Sequence, residues 1–378
     1  MIIRYYSDKL NDKLESNKVL VIYGPRRAGK TTLIKEFLEH KGRDYKIYQS
    51  TGENKTTKDI LESSDFSKII PFFQDYELVV IDEAQKIEQV GQGLKILVDQ
   101  IPGIKVIATG SSSFDLSNKV GEPLVGRQWV IKLYPVSVLE LVKDKGRAYA
   151  VEQLENLLIF GGYPEVLEAS SFDRKREYLY MIRDSYLYKD ILELENIRNA
   201  KKIQDLLQLI AFQIGHEVSH HELGSQLGMS KNTVEHYLDL LEKAFVLVNV
   251  RGFSRNLRKE ITKTSRYYFY DNGIRNAIVG NMNFLNNRDD VGMLWENFLF
   301  MERLKKREYQ SIFGNYYFWR TWDQKEIDLV EDRGGKLYGY EFKYKSNGKD
   351  IAPRVWQDTY PSAEYKVITR DNYLEFVT

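Results

Sequence analysis

At 378 residues the chain is longer than one typical core, and about two to four domains are expected. A 43% hydrophobic and 29% charged composition suits a globular chain, no apolar run nears the roughly 18 residues that cross a bilayer, and the opening MIIRYYSDKL lacks the apolar centre of a secretory signal; a cytoplasmic location without membrane contact is the expectation. The absence of cysteine excludes disulfides, thiolate metal sites and cysteine nucleophiles, and a formal net charge of +1 leaves only local patches to attract nucleic acid.

Val19 to Tyr23 is a short apolar run, Gly24 and Gly29 bracket a turn, and Thr31 to Leu38 returns to helical spacing, which reads as strand, loop, helix. In that setting GPRRAGKT matches the phosphate-loop pattern G-x-x-x-x-G-K-[ST] in full. The loop Gly24, Pro25, Arg26, Arg27, Ala28 and Gly29 is expected to wrap phosphates with backbone N–H groups, Lys30 to reach the terminal phosphates, and Thr31, followed by Thr32, to supply a magnesium ligand. The helix start adds favourable partial charge at the same place. Arg26 and Arg27 are candidates for further contacts, with at least one facing solvent.

ELVVIDEAQKI follows, an apolar run from Leu78 to Ile81 that ends in Asp82 and Glu83, as a buried parallel strand would. Asp82 is expected to hold magnesium through water and Glu83 to orient or deprotonate the water attacking the terminal phosphate; the plainer alternative is an acidic helix start. IKVIATGSSS, a third strand, ends in Thr109, Ser111, Ser112 and Ser113, any of which could sense the phosphate or cap a turn. In GEPLVGRQWVIKLYPVSVLEL, Arg127 precedes another strand-like run. Its guanidinium is a candidate to meet the transferring phosphate, and a role in its own subunit, across an interface or in a plain salt bridge are all open.

With GGYPEVL at Gly161 to Leu167 and YLYKDI at Tyr186 to Ile191 added, these segments together resemble a widespread prokaryotic family, the AAA-type ATPases that carry an uncharacterised carboxy-terminal domain of PD-(D/E)XK nuclease-like fold. The resemblance covers nearly the whole chain. It implies ATP and magnesium at the first site and leaves the biological role open.

The organisation expected is an α/β chain: a P-loop AAA-type ATPase domain over 1–135, a helical lid over 136–199, a winged helix-turn-helix over 200–275 and a nuclease-like α/β domain over 276–378. From Val136 onward apolar residues recur at helical spacing, with Gly161, Gly162 and Pro164 marking a turn, and Tyr178, Tyr180, Tyr186 and Tyr188 reading as packing residues. KKIQDLLQLIAFQIG is an amphipathic helix, and two more helices are expected about a turn at Gly228 to Ser230, with Ser230 and Thr233 as helix-start residues and Leu223, Leu227, Val234 and Leu238 facing inward. The second of them pairs Lys231 and Asn232 with Glu235, His236 and Asp239, poor company for phosphates, so protein packing is the stronger reading there. VRGFSRNLRKEITKTSR differs: Arg251, Arg255, Arg258, Lys259, Lys263 and Arg266 face the single acid Glu260, a local basic surface able to follow a phosphate backbone. His216, His220, His221 and His236 cluster in sequence and are read as surface or capping residues rather than zinc ligands.

In the last third, LWENFLFMERLKKRE is an amphipathic helix with Glu296 on its first turn, and YYFWRTWDQKEIDLVEDRGGKLYGYEFKYKS gives strands meeting in a hairpin at DRGG. If Glu331 pairs near Lys336, Asp328 falls roughly opposite Gly339 to Glu341, and Glu341 and Lys343 project on one face beside it. Asp328 and Glu341, with the Phe342 carbonyl, could bind a hard divalent cation while Lys343 orients the attacking water. That is the PD-(D/E)XK arrangement, with Glu296 in the place of the first-helix acid; the plain alternative is an inactive domain with a surface Glu341–Lys343 pair. The expected function is therefore a magnesium-dependent ATPase acting on duplex or branched DNA, with further copies of the chain as partners. A nucleotide-controlled switch that binds a protein through an inactive nuclease-like domain is the rival.

Overall fold

The computed structural model describes residues 2–110, 123–187, 200–254, 265–345 and 351–378. Ser111, Ser112, Ser113, Tyr188, Arg255, Arg258, Lys259, Glu260 and Lys263 lie outside them, as does the side chain of Tyr186. The chain divides into a unit formed by Met1–Pro135 with Lys243–Phe245 and a second formed by Val136–Glu242 with Val246–Thr378.

In the first unit the apolar runs pair as a sheet of five parallel strands: β1 (Lys18–Tyr23), β2 (Ile47–Thr51), β3 (Leu78–Asp82), β4 (Lys105–Gly110) and β5 (Gln128–Lys132), in the order β2-β3-β4-β1-β5. The three inner strands β3, β4 and β1 are buried nearly end to end, which is why their sequences are continuous apolar runs rather than alternating ones. Edge strand β5 leaves Trp129 and Val130 exposed. The helices are α1 (Leu10–Lys13), α2 (Lys30–Lys41), α3 (Lys55–Glu62), α4 (Phe66–Phe73) and α5 (Val90–Gln100). Asn54 and Asp65 start α3 and α4 by accepting the Thr57 and Ser67 N–H groups at 3.1 and 2.8 Å. Side-chain-free Gly93 lets α5 lie against the Leu61 carbonyl, which an added Cβ would meet at 2.6 Å.

The second unit begins with α6 (Val138–Lys145), α7 (Arg147–Glu152), α8 (Leu154–Phe160), α9 (Pro164–Glu168) and α10 (Phe172–Met181). Ser137 and Glu140 form a capping box at the start of α6. The Gly161–Gly162 turn exists for the carboxylate of Asp271: Gly162 N–H donates to it at 2.7 Å, Gly161 holds φ 74°, and a Cβ there would lie 2.0 Å from Asp271 Oδ1. Asp271 in turn caps α14 (Asn272–Val279), tying the GGYP segment to a helix more than a hundred residues away in sequence.

Between them come α11 (Ala200–Phe212), α12 (His220–Leu227) and α13 (Lys231–Lys243), with the strands β6 (Glu217–Val218), β7 (Leu247–Arg251) and β8 (Ser265–Phe269) in the antiparallel order β6-β8-β7. Gly228 closes α12 in the left-handed region and Ser230 accepts the Thr233 N–H at 3.1 Å, while Leu223, Val234 and Leu238 are buried and Leu227 half-buried. His220 is held between Glu235 and the Tyr267 hydroxyl, each at 3.1 Å. Reading Arg251 to Arg266 as one basic surface fails at its last residue. Arg266 is buried, because β8 is the central strand of the three and all five of its residues are covered.

The last segment runs α15 (Val291–Tyr309), β9 (Asn315–Arg320), β10 (Glu326–Arg333), β11 (Lys336–Phe342), α16 (Arg354–Thr359), β12 (Glu364–Ile368) and α17 (Tyr373–Val377), with sheet order β12-β11-β10-β9; β9, β10 and β11 are antiparallel and β12 joins β11 in parallel. Ile327, Val330 and Trp319 pack on one face with Trp356 and Tyr360 of the α16 region. On the other face Glu331, fully buried, takes a bidentate pair from Arg303 of α15 at 2.9 Å on both oxygens. The hairpin register differs from the expected one. Gly334 and Gly335 both hold positive φ, 58° and 81°, in a two-residue turn, so Arg333, not Glu331, faces Lys336. Carried along the ladder, Leu329 pairs Tyr340 and Asp328 comes level with Glu341. Among the described residues no helix is long and apolar enough to cross a membrane.

Candidate functional site

In a parallel sheet the strand ends that carry loops all point the same way, and here those of β1, β4 and β3 stand side by side. Ile22 of β1 is level with Thr109 of β4, and Ile81 of β3 with Ala108. The strand expected to offer a sensing hydroxyl thus lies between the phosphate loop and the acidic pair. β1 ends at Tyr23, and the loop Gly24–Gly29 turns the chain into α2. Gly24 holds φ 154° with a Cβ position 2.0 Å from the Leu133 carbonyl oxygen, and Gly29 holds φ 97°, so both need glycine. Arg27, also left-handed at φ 64°, is exposed; Arg26 is half-buried and Ala28 buried. Lys30 is buried and its ammonium donates to the carbonyls of Gly24 and Pro25 at 2.8 and 2.9 Å.

Asp82 is the hub. Its Oδ2 accepts from the Thr31 hydroxyl at 2.8 Å and its Oδ1 from the Thr109 hydroxyl. The same Thr109 oxygen accepts the Glu83 N–H at 3.0 Å. Glu83 stands in the left-handed region at φ 51°, directly past the strand, with its carboxylate accepting from Gln85 Nε2 at 2.5 Å. A Cβ on Gly52 would lie 2.3 Å from the Glu83 carbonyl oxygen, so that glycine gives the acid its room. Lys30, Thr31, Asp82, Glu83 and Thr109 are brought together; Thr32 is exposed on the first turn of α2. Two residues that pattern reasoning missed support them: Gln85, and Arg4, a buried guanidinium donating to the Ala28 carbonyl at 2.5 Å and to the Tyr134 carbonyl at 2.6 Å. Neither belongs to a recognisable spacing.

Arg127 does not join this group within its own chain. Its carbonyl accepts the Val19 N–H at the start of β1, so it sits at the opposite end of the sheet from Gly24, about 17 Å away along β1. There it pairs with Asp99 at 2.6 Å, both side chains part-exposed.

In the second unit the guanidinium of Arg266 lies 2.7 Å from Glu326 and 3.9 Å from Asp328, both of β10, and 3.7 Å from Glu296 of α15, with Asp328 level with Glu341 of β11. Tyr268 O–H donates to Glu296 at 2.6 Å. The Phe342 N–H donates to Asp328 Oδ2 at 2.7 Å. Lys343 pairs with Glu341 at 2.6 Å. Burial pushes Glu296 up to about 7 against the pull of Arg266 and the Tyr268 hydroxyl. Burial, then Glu296 and Glu341, holds Asp328 well above the usual carboxylate range. Among the described residues no three His, Cys, Asp or Glu side chains converge closely enough to enclose a metal ion.

Residues 16–142 match the family model described as an AAA domain, residues 151–284 a domain of unknown function (DUF8612) and residues 291–376 another domain of unknown function (DUF4143). An uncharacterized protein of Methanocaldococcus jannaschii is 26% identical over 335 residues, 84% of this chain and 73% of that one. Uncharacterized proteins of Mycobacterium tuberculosis, 27% identical over 89% of this chain and 73% of its own, and of Haemophilus influenzae, 25% identical over 88% and 84%, are similar along the same extent. Among solved structures, AMPPCP-bound DnaA from Aquifex aeolicus superposes with a TM-score of 0.32 at 17% identity, covering 64% of this chain and 89% of that one. The AAA match over residues 16–142 agrees with the phosphate-loop geometry and suggests nucleotide binding by the amino-terminal unit.

Proposed function

We propose that this chain is a magnesium-dependent ATP hydrolase whose nucleotide state controls how a winged-helix module and a nuclease-like carboxy-terminal domain engage a partner, DNA being the partner the basic segment after β7 suits. One observation carries the nucleotide part: the Thr31 hydroxyl and the Asp82 carboxylate meet at 2.8 Å beside Lys30. Hydroxyl and carboxylate oxygens are the donors a hard cation takes, and magnesium held there would neutralise charge on the terminal phosphates. This chain's own residues do the rest. The loop amides and α2 start bind the phosphates, and Lys30 exchanges its two carbonyl partners for phosphate oxygens. Thr109 fixes Asp82 and the Glu83 peptide together, and Glu83 takes the proton of, or aims, the attacking water while Gln85 holds its other oxygen.

The helix pair about Gly228 with the β7–β8 pair supports the winged-helix reading, and the order helix, three antiparallel strands, helix, parallel strand from α15 to β12 supports the nuclease-like one. The deciding experiment is ATP turnover with and without single-stranded, duplex and branched DNA, alongside a cleavage gel with magnesium or manganese. DNA-stimulated turnover is expected, and binding absent at low salt rejects DNA as the partner. The protein-binding switch stays in view because of the Arg266 guanidinium among the carboxylates. It predicts a partner or assembly state that changes between ATP and ADP, with no cleavage and no effect of DNA.

A further inference from the structure

We propose that Arg266 is the resident cation of the carboxy-terminal carboxylate set, so that its guanidinium and a divalent ion exclude one another. A divalent ion needs several oxygens within about 2.0–2.6 Å of one point. Glu296, Asp328 and Glu341 do not offer that arrangement. Each is instead committed to a donor from the protein: Glu296 to the Tyr268 hydroxyl, Asp328 to the Phe342 N–H, Glu341 to Lys343.

What fills the middle is a guanidinium delivered from another sheet. The Arg266 side chain is 3% exposed, its charge lies between Glu296, Asp328 and Glu326, and its face covers the Phe318 ring at 4.4 Å. The fit is incomplete in two places: Arg266 Nε and Glu341 Oε2 are both buried without a hydrogen-bond partner. A guanidinium this enclosed cannot stay while the same carboxylates close on an ion, since two cations would share one buried space. Leaving requires β8 to release a side chain from its central position between β6 and β7. The set is therefore a latch between the middle sheet and the carboxy-terminal sheet, closed by Arg266 and opened only at the cost of that contact. By linkage, whatever withdraws Arg266 raises cation affinity, and added cation weakens the latch by the same factor.

The inference concerns the carboxylates alone, and its test uses no nucleotide, so it fails or stands apart from the ATPase reading. Manganese binding to the full chain is followed by electron paramagnetic resonance in wild type, Arg266→Gln and Arg266→Gln/Asp328→Asn. Arg266→Gln is expected to gain one site at least about tenfold tighter than any in wild type, and the double variant to lose it. Should Arg266→Gln not fold, Glu326→Gln, which removes the negative charge from the 2.7 Å contact, takes its place with an expected gain of about threefold. Wild type binding manganese through Asp328 as tightly as the variant overturns the proposal. So does a folded variant, by circular dichroism, that gains no site.

Discussion

The Thr31 hydroxyl donates to Asp82 at 2.8 Å across fifty-one positions of sequence, so the phosphate loop and the second strand-end acid form one constellation. Because Asp82 also accepts from Thr109, replacing it by asparagine removes the charge proposed to hold magnesium and loosens the Thr109 hydroxyl that holds the Glu83 peptide. Asp82→Asn is expected to lower kcat at least about 100-fold and shift magnesium dependence upward. Lys30→Ala is expected to abolish nucleotide uptake measured by calorimetry. Turnover surviving Lys30→Ala contradicts the site assignment.

Arg4 holds the phosphate loop from behind. It is buried and bridges the Ala28 and Tyr134 carbonyls, so Arg4→Ala strips two carbonyls of a charged donor. The expected cost is about 2–4 kcal/mol in urea unfolding of the amino-terminal unit, with weaker ATP binding. Arg4→Lys, with one ammonium for two acceptors, is expected to fall between. Unchanged nucleotide affinity in Arg4→Ala means the loop needs no such brace.

Arg127 offers a cleaner discrimination. Its Asp99 pair is part-exposed, and the far end of β1 separates it from the loop, so Arg127→Ala is expected to change stability by no more than about 1 kcal/mol. Turnover of dilute protein is expected to match wild type. A loss that appears only as protein concentration rises assigns Arg127 to a neighbouring copy's site; a loss at every dilution contradicts the geometry.

The nucleotide site was legible because its residues sit at the ends of apolar runs, and period and spacing locate such ends. Sheet order was not: nothing linear says that β4 lies between β1 and β3, which is what makes Thr109 the bridging hydroxyl. Arg4 is a lone cation in a short segment, indistinguishable by pattern from a surface one. In the hairpin, DRGG announces a turn, but only its two-residue geometry fixes that Arg333 rather than Glu331 faces Lys336 and that Asp328 is level with Glu341, at the edge of the expected range. Arg266 lies at the end of a basic run, and its burial depends on neighbours far away in the chain. The whole of β8 is covered, so no alternation of apolar and polar residues marks the inward side.

Glu331 is the strongest test of the carboxy-terminal core. Fully buried, it meets Arg303 at 2.9 Å and lies 3.3 Å from both Arg307 and Arg333. Burial alone would raise its pKa, yet the hydrogen bonds and charge of Arg303, then Arg307 and Arg333, keep it below its ordinary value. Glu331→Gln leaves these guanidiniums without a counter-charge and is expected to cost about 3–5 kcal/mol in equilibrium unfolding. A change under about 1 kcal/mol indicates that the arginines relax into solvent.

Glu242, near the end of α13, gives a pH signature of opposite sign. Burial pushes it up to about 7, reinforced by Asp239 and opposed by Asn249 and Arg251. A carboxyl whose folded pKa lies above its unfolded value favours the fold most when protonated. That contribution is fully present below about 4.5 and is lost as pH rises through about 7. Glutamine imitates the protonated form at every pH. Glu242→Gln is therefore expected to match wild type near pH 5 and to exceed it by about 1–3 kcal/mol near pH 8.5, read as urea midpoints at the two pH values. A gain of equal size at both would trace to packing rather than charge, and no gain at the higher pH would mean that Glu242 ionises without cost where it stands.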